Sequence, residues 1–428
     1  MKFILKQIND LNKHGIKILP KKFFTLVKFL SKLPMYFVCL PILFFIYLIS
    51  HFYIVRFKSL GVNFGLLSIL PELYCCAMEQ KINMPQKPFK DIYYAKRVIN
   101  DQIYKMWKRT LTVGPSFFLQ PIDELNKLIS HFFTFAKKHE IKVFDEGGRD
   151  TLGWTAKIKK PHISFIEDEK KEAKKFLSKF GLGDDDKFVC LVVRDSAYHN
   201  KYFKGISWDY HNFRNGDINN YLSASEFLAD QGYFVFRMGK TVNSAFQSKN
   251  SRVIDYANSK YRSDLLDIYL GANCEFCIST ALGYDCVPYT FRKPIVLIPH
   301  TLGYLNTYFF NSLAIPRPYF YSKEKRYLSM QEIFDMGIGF SLQTNDFKSK
   351  GIVVEENTKE QIQEITEEMV QRLNGKWEDT ELDKQNQNYF IKKFKNNLKT
   401  EKQKKLHGKF CIKIGSKFLK NNLNWLYN

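Results

Sequence analysis

From Lys187 onward, short continuous apolar runs alternate with helical segments, and this alternation constrains the fold more than any other feature. Phe188–Val193, Tyr233–Arg237, Val253–Tyr256, Cys274–Ile278 and Pro294–Ile298 read as strands without the in-out alternation of a half-exposed sheet. Strands apolar on both faces belong to parallel sheets covered by helices. The intervening spacing predicts a helix over 217–230 and another opened by Ser263, an N-cap residue with Asp264 in the first turn. A third runs Thr358–Leu373 and stops at Asn374-Gly375. The fold class is α/β.

Asn273–Pro299 is the densest of these units: a strand, a hydroxyl-rich turn at Ser279 and Thr280, a short helix and a further strand. A helix opening directly from a strand aims N–H groups and the positive end of its dipole at one point, which suits phosphate. The alternative is that Ser279 or Thr280 simply caps the helix. Other polar residues also stand at strand ends: Arg194 with Asp195, Arg237 with Gly239, and His300. In a parallel sheet these share one edge, where ligands bind, and arginine matches phosphate in a bidentate way. The loop 198–217 carries Tyr202, Trp208, Tyr210, His211, Asn212 and Arg214. It reads either as a platform for a sugar or base or as a loop packed on its own aromatics.

Several chemistries have no support. There is no GxGxxG, Walker A lysine loop, GxSxG elbow or HExxH. Asp184-Asp-Asp186 contains a DxD, but it precedes a strand and reads as a solvated turn. Cys274 and Cys277 sit three apart in a strand, on opposite faces, with no histidine to complete a zinc set. No metal or cofactor is expected. The eight cysteines suggest no disulfide framework, which points to a reducing compartment.

The first half is less regular. Phe52–Phe57, Asp91–Ala95 and Ile141–Phe144 read as strands. Leu66–Gln80 reads as a helix broken by Pro71, with further helices over 101–111 and 121–139. Residues 1–33 are basic and amphipathic, and Pro34–Ser50 is almost wholly apolar. That stretch can span a membrane, lie in its interface or sit in a core. Spanning would push everything after His51 outside, and Pro41 would kink the helix, so an interfacial anchor is expected. The net charge of +22 on 428 residues implies an anionic partner. Lysines crowd both ends, away from any aromatic groove, which favours an anionic membrane surface over nucleic acid.

The pieces Val-Arg-Asp-Ser-Ala-Tyr at 193–198, Tyr-His-Asn-Phe-Arg-Asn-Gly-Asp at 210–217 and Phe-Arg-Met-Gly at 236–239, with Ser-Asp-Leu-Leu-Asp at 263–267, together resemble a bacterial family of glycosyltransferases. That family is associated with surface polysaccharide synthesis, and the likeness covers about residues 50–350. It implies two Rossmann-like domains in a GT-B-type glycosyltransferase architecture, the nucleotide-sugar donor lying in the second. By the same likeness Arg194, Arg214, Asn215, Arg237 and the Ser279/Thr280 turn face the donor. The sequence departs from the family at Gly65-Leu66, where a Gly-His is usual, and at Thr280-Ala281-Leu282-Gly283, where a Ser-Gly is usual.

The expected organisation is an anchoring segment at 1–50, an acceptor domain at 51–180, a donor domain at 181–375 and a basic helical extension at 376–428. The expected activity is metal-independent glycosyl transfer to a glycan or lipid-linked acceptor at the cytoplasmic face of the bacterial inner membrane. Glu72 and Asp195 are the candidate bases. Arg194, Arg214, Asn215, Arg237, Gly239, Ser279, Thr280 and Gly283 are the candidate donor contacts. The competing readings are a non-catalytic nucleotide- or glycan-binding relative and a basic tethering protein.

Overall fold

The computed structural model describes residue 23, residue 27 and the stretches 30–142, 148–202, 207–305, 312–407 and 411–428. The basic segment before residue 30 therefore lies almost wholly outside the described residues, as does the second half of the strand expected at 141–144. Internal contacts divide the chain into two units. One comprises Met1–Ser59, Met84–Lys96 and Leu111–Ile141; the other comprises Leu60–Asn83, Arg97–Thr110 and Lys142–Asn428.

In the first unit, β1 (Ile54–Ser59) and β2 (Phe89–Tyr94) pair in parallel. Isolated parallel bridges from Phe57 to Glu140 and from Tyr93 to Val113 extend the pair on either side. Beside it lie the helices Leu33–Ile49 and Ser116–Phe132. Tyr36, Cys39, Leu43 and Ile46 recur at helical spacing and form a small core with Phe57, Ile122 and Leu125. Arg56 and Asp91 form a buried bidentate pair across the strands, with both contacts at 2.6 Å. No described helix is long and apolar enough to cross a membrane.

The second unit contains β3 (Phe188–Val192), β4 (Phe234–Arg237), β5 (Val253–Ile254), β6 (Cys277–Ser279), β7 (Ile295–Leu297), β8 (Leu313–Ala314), β9 (Tyr319–Tyr321), β10 (Arg326–Tyr327), β11 (Ile352–Val354) and β12 (Lys413–Ile414). Seven of these form one all-parallel sheet in the order β12-β8-β7-β6-β3-β4-β5. The order from β5 to β8 is that of a doubly wound nucleotide-binding sheet, with β3 first and the direction of winding reversing between β3 and β6. Every residue of β3, β4, β6 and β7 is buried, as their continuous apolar sequences require. β9, β10 and β11 make a separate antiparallel sheet, so Ile352–Val354 lies outside the main one.

Two departures have local causes. The helix Phe64–Glu79 runs unbroken through Pro71. Proline deprives the carbonyl four residues back, Leu67, of its helical partner. Here the Trp107 indole N–H donates to that carbonyl at 2.9 Å. The stretch 376–428 is no detached extension: β12 pairs with β8, while Phe390 and Phe394 of the helix Glu381–Asn396 are fully buried in the unit's core.

Candidate functional site

A cleft of about 600 Å³ opens at the carboxyl ends of β3, β4 and β6, where the winding reverses. Its size suits a nucleotide-sized ligand. After β3 it is lined by Val193, Arg194 and Asp195, after β4 by Met238, Gly239 and Lys240, and after β6 by Leu282, Gly283 and Tyr284. Val62, Asn63, Phe64 and Gly65 close another side. They form the start of the Phe64–Glu79 helix, whose Asn63 side chain caps Leu66 N–H at 2.9 Å. Gly65 is required there because a Cβ would meet the Gly283 Cα at 2.9 Å and its carbonyl oxygen at 3.0 Å.

Five candidate residues therefore gather at the cleft: Arg194, Asp195, Arg214, Gly239 and Gly283. Arg194 N–H donates to Thr280 Oγ1 at 2.9 Å, and its guanidinium donates to the His211 carbonyl and to Asn215 Oδ1. Arg214 donates to the Ala281 carbonyl at 3.2 Å and lies over the Tyr304 ring at 5.0 Å. Among the described residues neither arginine has a carboxylate within ion-pair distance. Burial, with Arg214 nearby, lowers the Arg194 pKa to about 10. Burial and the two arginines also lower the neighbouring histidines: His211 falls to about 4, and His199 and the fully buried His300 shift the same way. A desolvated cationic cluster that suppresses its own histidines is set up to receive an anion.

The other candidates do not line the cleft. Arg237 is buried and donates to Asp255 at 2.9 Å, and that carboxylate also holds Phe246 N–H and the Asn258 amide. Asn215 orients Arg194 and gives its carbonyl to Arg317 at 2.9 Å. Ser279 and Thr280 are fully buried, and their hydroxyls are engaged by Asp285 and by the Arg194 N–H. The turn they open passes through Ala281 at φ +60° and leads only to a short 3₁₀ turn and the five-residue helix Cys286–Thr290. The phosphate-binding helix start expected there is not formed. The long helix whose start faces the cleft begins at Phe64 instead.

Glu72 is also withdrawn. It is fully buried, with Arg292 Nη2 at 2.5 Å, His162 Nδ1 at 3.0 Å and the Cys76 thiol at 3.8 Å. Glu72, Cys76 and His162 offer ligand atoms within 4.8 Å of one another, a spacing that could hold a metal. The guanidinium already supplies the positive charge, and burial with Glu72 holds the Cys76 thiol protonated, so the cluster is an ion-pair network. Asp195 does border the cleft, its two oxygens accepting from Ala197 N–H at 2.9 Å and Asn243 N–H at 2.8 Å.

Sequence reasoning missed several lining groups. Arg97 and Lys240 add exposed positive charge. Asp267 is paired with Arg262 at 2.5 Å and with the Tyr256 hydroxyl at 3.1 Å, and burial raises it to about 6 despite Arg262. Its place in the fourth position after the Ser263 cap was legible, but its place at the cleft was not. In the aromatic loop, Trp208 packs on His199 at 4.4 Å and stacks with His211 at 6.2 Å. Trp208, His199 and Tyr198 line the cleft, so the loop both packs on itself and forms a wall.

No family model and no curated protein matches the chain. Among solved structures it is similar to a glycosyl transferase family 9 protein from Veillonella parvula DSM 2008, with 11% identity and a TM-score of 0.43 over 75% of this chain and 98% of that one. It is also similar to the E. coli ADP-heptose lps heptosyltransferase II, with 12% identity and a TM-score of 0.31 over 57% and 84% of the two chains. A third is an E. coli heptosyltransferase with ADP-2-deoxy-2-fluoro heptose, with 10% identity and a TM-score of 0.26 over 57% and 88%. The doubly wound arrangement described above stands on this chain's own strand order.

Proposed function

We propose that this protein is a glycosyltransferase of GT-B type, with two Rossmann-like domains. It moves a hexosyl or similar sugar from a nucleotide-diphosphate donor to a lipid-linked or polysaccharide acceptor in bacterial cell-surface glycan synthesis. The donor occupies the sheet of residues 181–375, and the enzyme works at the cytoplasmic face of the inner membrane. One observation carries this reading: Arg194 and Arg214, without carboxylate partners among the described residues, stand at the switch-point cleft. As the sugar departs, negative charge grows on the diphosphate. Fixed guanidinium groups in a desolvated cleft stabilise that charge in the role a metal plays elsewhere. Of the two candidate bases only Asp195 borders the cleft, and it is assigned the acceptor's proton.

A thermal-shift screen with nucleoside diphosphates, run without divalent metal, tests the reading. At least one is expected to raise the melting temperature, with Arg194→Ala and Arg214→Ala each weakening it about tenfold or more. If no nucleoside diphosphate shifts the melting curve, the donor site is misassigned. The second reading, a non-catalytic binder, is favoured by the Leu66 that follows Gly65 of the cleft, where the resembled family has Gly-His. It predicts nucleotide binding with no labelled product and no effect of Asp195→Asn.

A further inference from the structure

The first unit exposes apolar surface on a scale its own core does not need. On the helix Leu33–Ile49 one stripe is buried, and the rest presents Phe37, Phe44, Phe45 and Leu48 to solvent, Phe37 at 69%. Just beyond it, Phe52 is 81% exposed. A second run lies some eighty residues later. Phe117, Leu128 and Phe132 fall on one stripe of the helix Ser116–Phe132, Phe132 at 72%, and Phe118 and Phe133 flank them. The two helices pack together through Tyr36, Leu43, Ile122 and Leu125. The two runs meet at Tyr47, whose ring lies edge-on to Phe135 at 5.1 Å, and Phe135 in turn contacts Phe133 at 5.7 Å.

We infer that this helix pair is a composite wedge for an anionic bilayer, entering the interface from one side without crossing it. This deepens the membrane-associated part of the proposed function and does not depend on the transferase chemistry. Seventeen residues make a helix of roughly 25 Å, short of the roughly 30 Å hydrocarbon core. The inner stripe is also committed to protein, since Tyr36 donates to Glu124 at 3.1 Å and Tyr47 to Asn126 at 2.8 Å. Exposed aromatic and aliphatic side chains suit the headgroup–acyl boundary. Charge selects among occupants. The unit has sixteen Lys or Arg against five Asp or Glu, so a second copy would repel it, whereas anionic headgroups attract it. Exposed Lys90, Lys127, Lys137 and Lys138 are among these.

The test is flotation of the full chain with vesicles of phosphatidylcholine alone or with added phosphatidylglycerol. Binding is expected to the mixed vesicles and to be much weaker to phosphatidylcholine. Phe44→Asp with Phe45→Asp, and separately Phe117→Asp with Phe118→Asp, should each lower binding by at least about tenfold, since two phenylalanines no longer leave water. All four positions are exposed, so melting curves of both variants should match the parent, which keeps a folding defect distinguishable. Undiminished flotation of the Phe117/Phe118 variant overturns the composite wedge. So does a soluble dimer dissolved by the same substitutions, which would make a second copy the occupant. Resistance to alkaline carbonate extraction would instead indicate a span. Nucleoside diphosphate binding is measured in parallel, so either proposal can fail alone.

Discussion

At the scale of single residues, the cleft and the Glu72 cluster show two ways of burying charge. Glu72 is neutralised by Arg292 and His162, whereas Arg194 and Arg214 stand at the cleft with no carboxylate within ion-pair distance among the described residues. Removing one partner of a buried pair strands the other. Arg292→Ala should therefore destabilise the protein by roughly 3–5 kcal/mol in urea denaturation. Replacing both members with Glu72→Gln and Arg292→Met should cost less than that single change. The histidines beside the arginines make a pH prediction. His211 is held near 4, below its ordinary 6.5, by burial first and then Arg214 and Arg194. A depressed histidine gives stability that is fully present above about 6.5 and lost as pH falls through about 4. Between pH 7 and 4 the melting temperature of His211→Gln should thus fall less than that of the parent. A bound diphosphate should reverse part of the depression, so nucleotide binding near pH 6 should take up protons, measured by calorimetry in buffers of different ionisation enthalpy.

At the scale of elements, the informative case is the helix Phe64–Glu79. Its sequence contains a proline that local rules place at a break, yet the helix continues because Trp107 satisfies the carbonyl Pro71 leaves open. Trp107→Phe should cost about 1–3 kcal/mol through the unsatisfied Leu67 carbonyl. Pro71→Ala supplies a backbone N–H to that carbonyl, so in the double variant much of the loss should be recovered, as a double-mutant cycle would show. The start of this helix at the cleft depends on Gly65 against Gly283, a backbone-on-backbone approach between segments more than two hundred residues apart. Capping rules correctly anticipated the helix begun by Ser263, whose hydroxyl accepts from the Leu266 N–H three residues on. They failed at Ser279 and Thr280 because those hydroxyls found other partners, Ser279 in Asp285 of the following turn and Thr280 in the Arg194 N–H beyond the neighbouring strand.

At the scale of the whole molecule, the C-terminal stretch changes role. Its lysines read as a docking tail, but its apolar residues close the second unit: Phe390, Phe394, Ile412 and Ile414 are buried. A chain ending at Glu378 should lose cooperative melting and bind no nucleotide, because several side chains worth about 1.5–3 kcal/mol each would be stripped from the core. Were the stretch only an anchor, the shortened chain would melt like the full one in the same circular-dichroism experiment.

What the sequence determined by itself was periodic or local. The βα alternation after Lys187 dictated a parallel sheet, because strands buried on both faces must be apolar throughout, and this placed Arg194 and Asp195 at a strand end. Local spacing identified the caps. The apolar run at 34–50 announced an unusual surface, although nothing local tied it to Phe117 or Phe132. Which strand-end groups reach the cleft was decided only by tertiary structure. Arg194 follows the end of β3 and Arg237 ends the adjacent β4, yet among the described residues the first has no carboxylate within ion-pair distance and the second meets Asp255. That difference arises from side chains brought within 3 Å by the winding of the sheet, a distance that linear spacing does not encode.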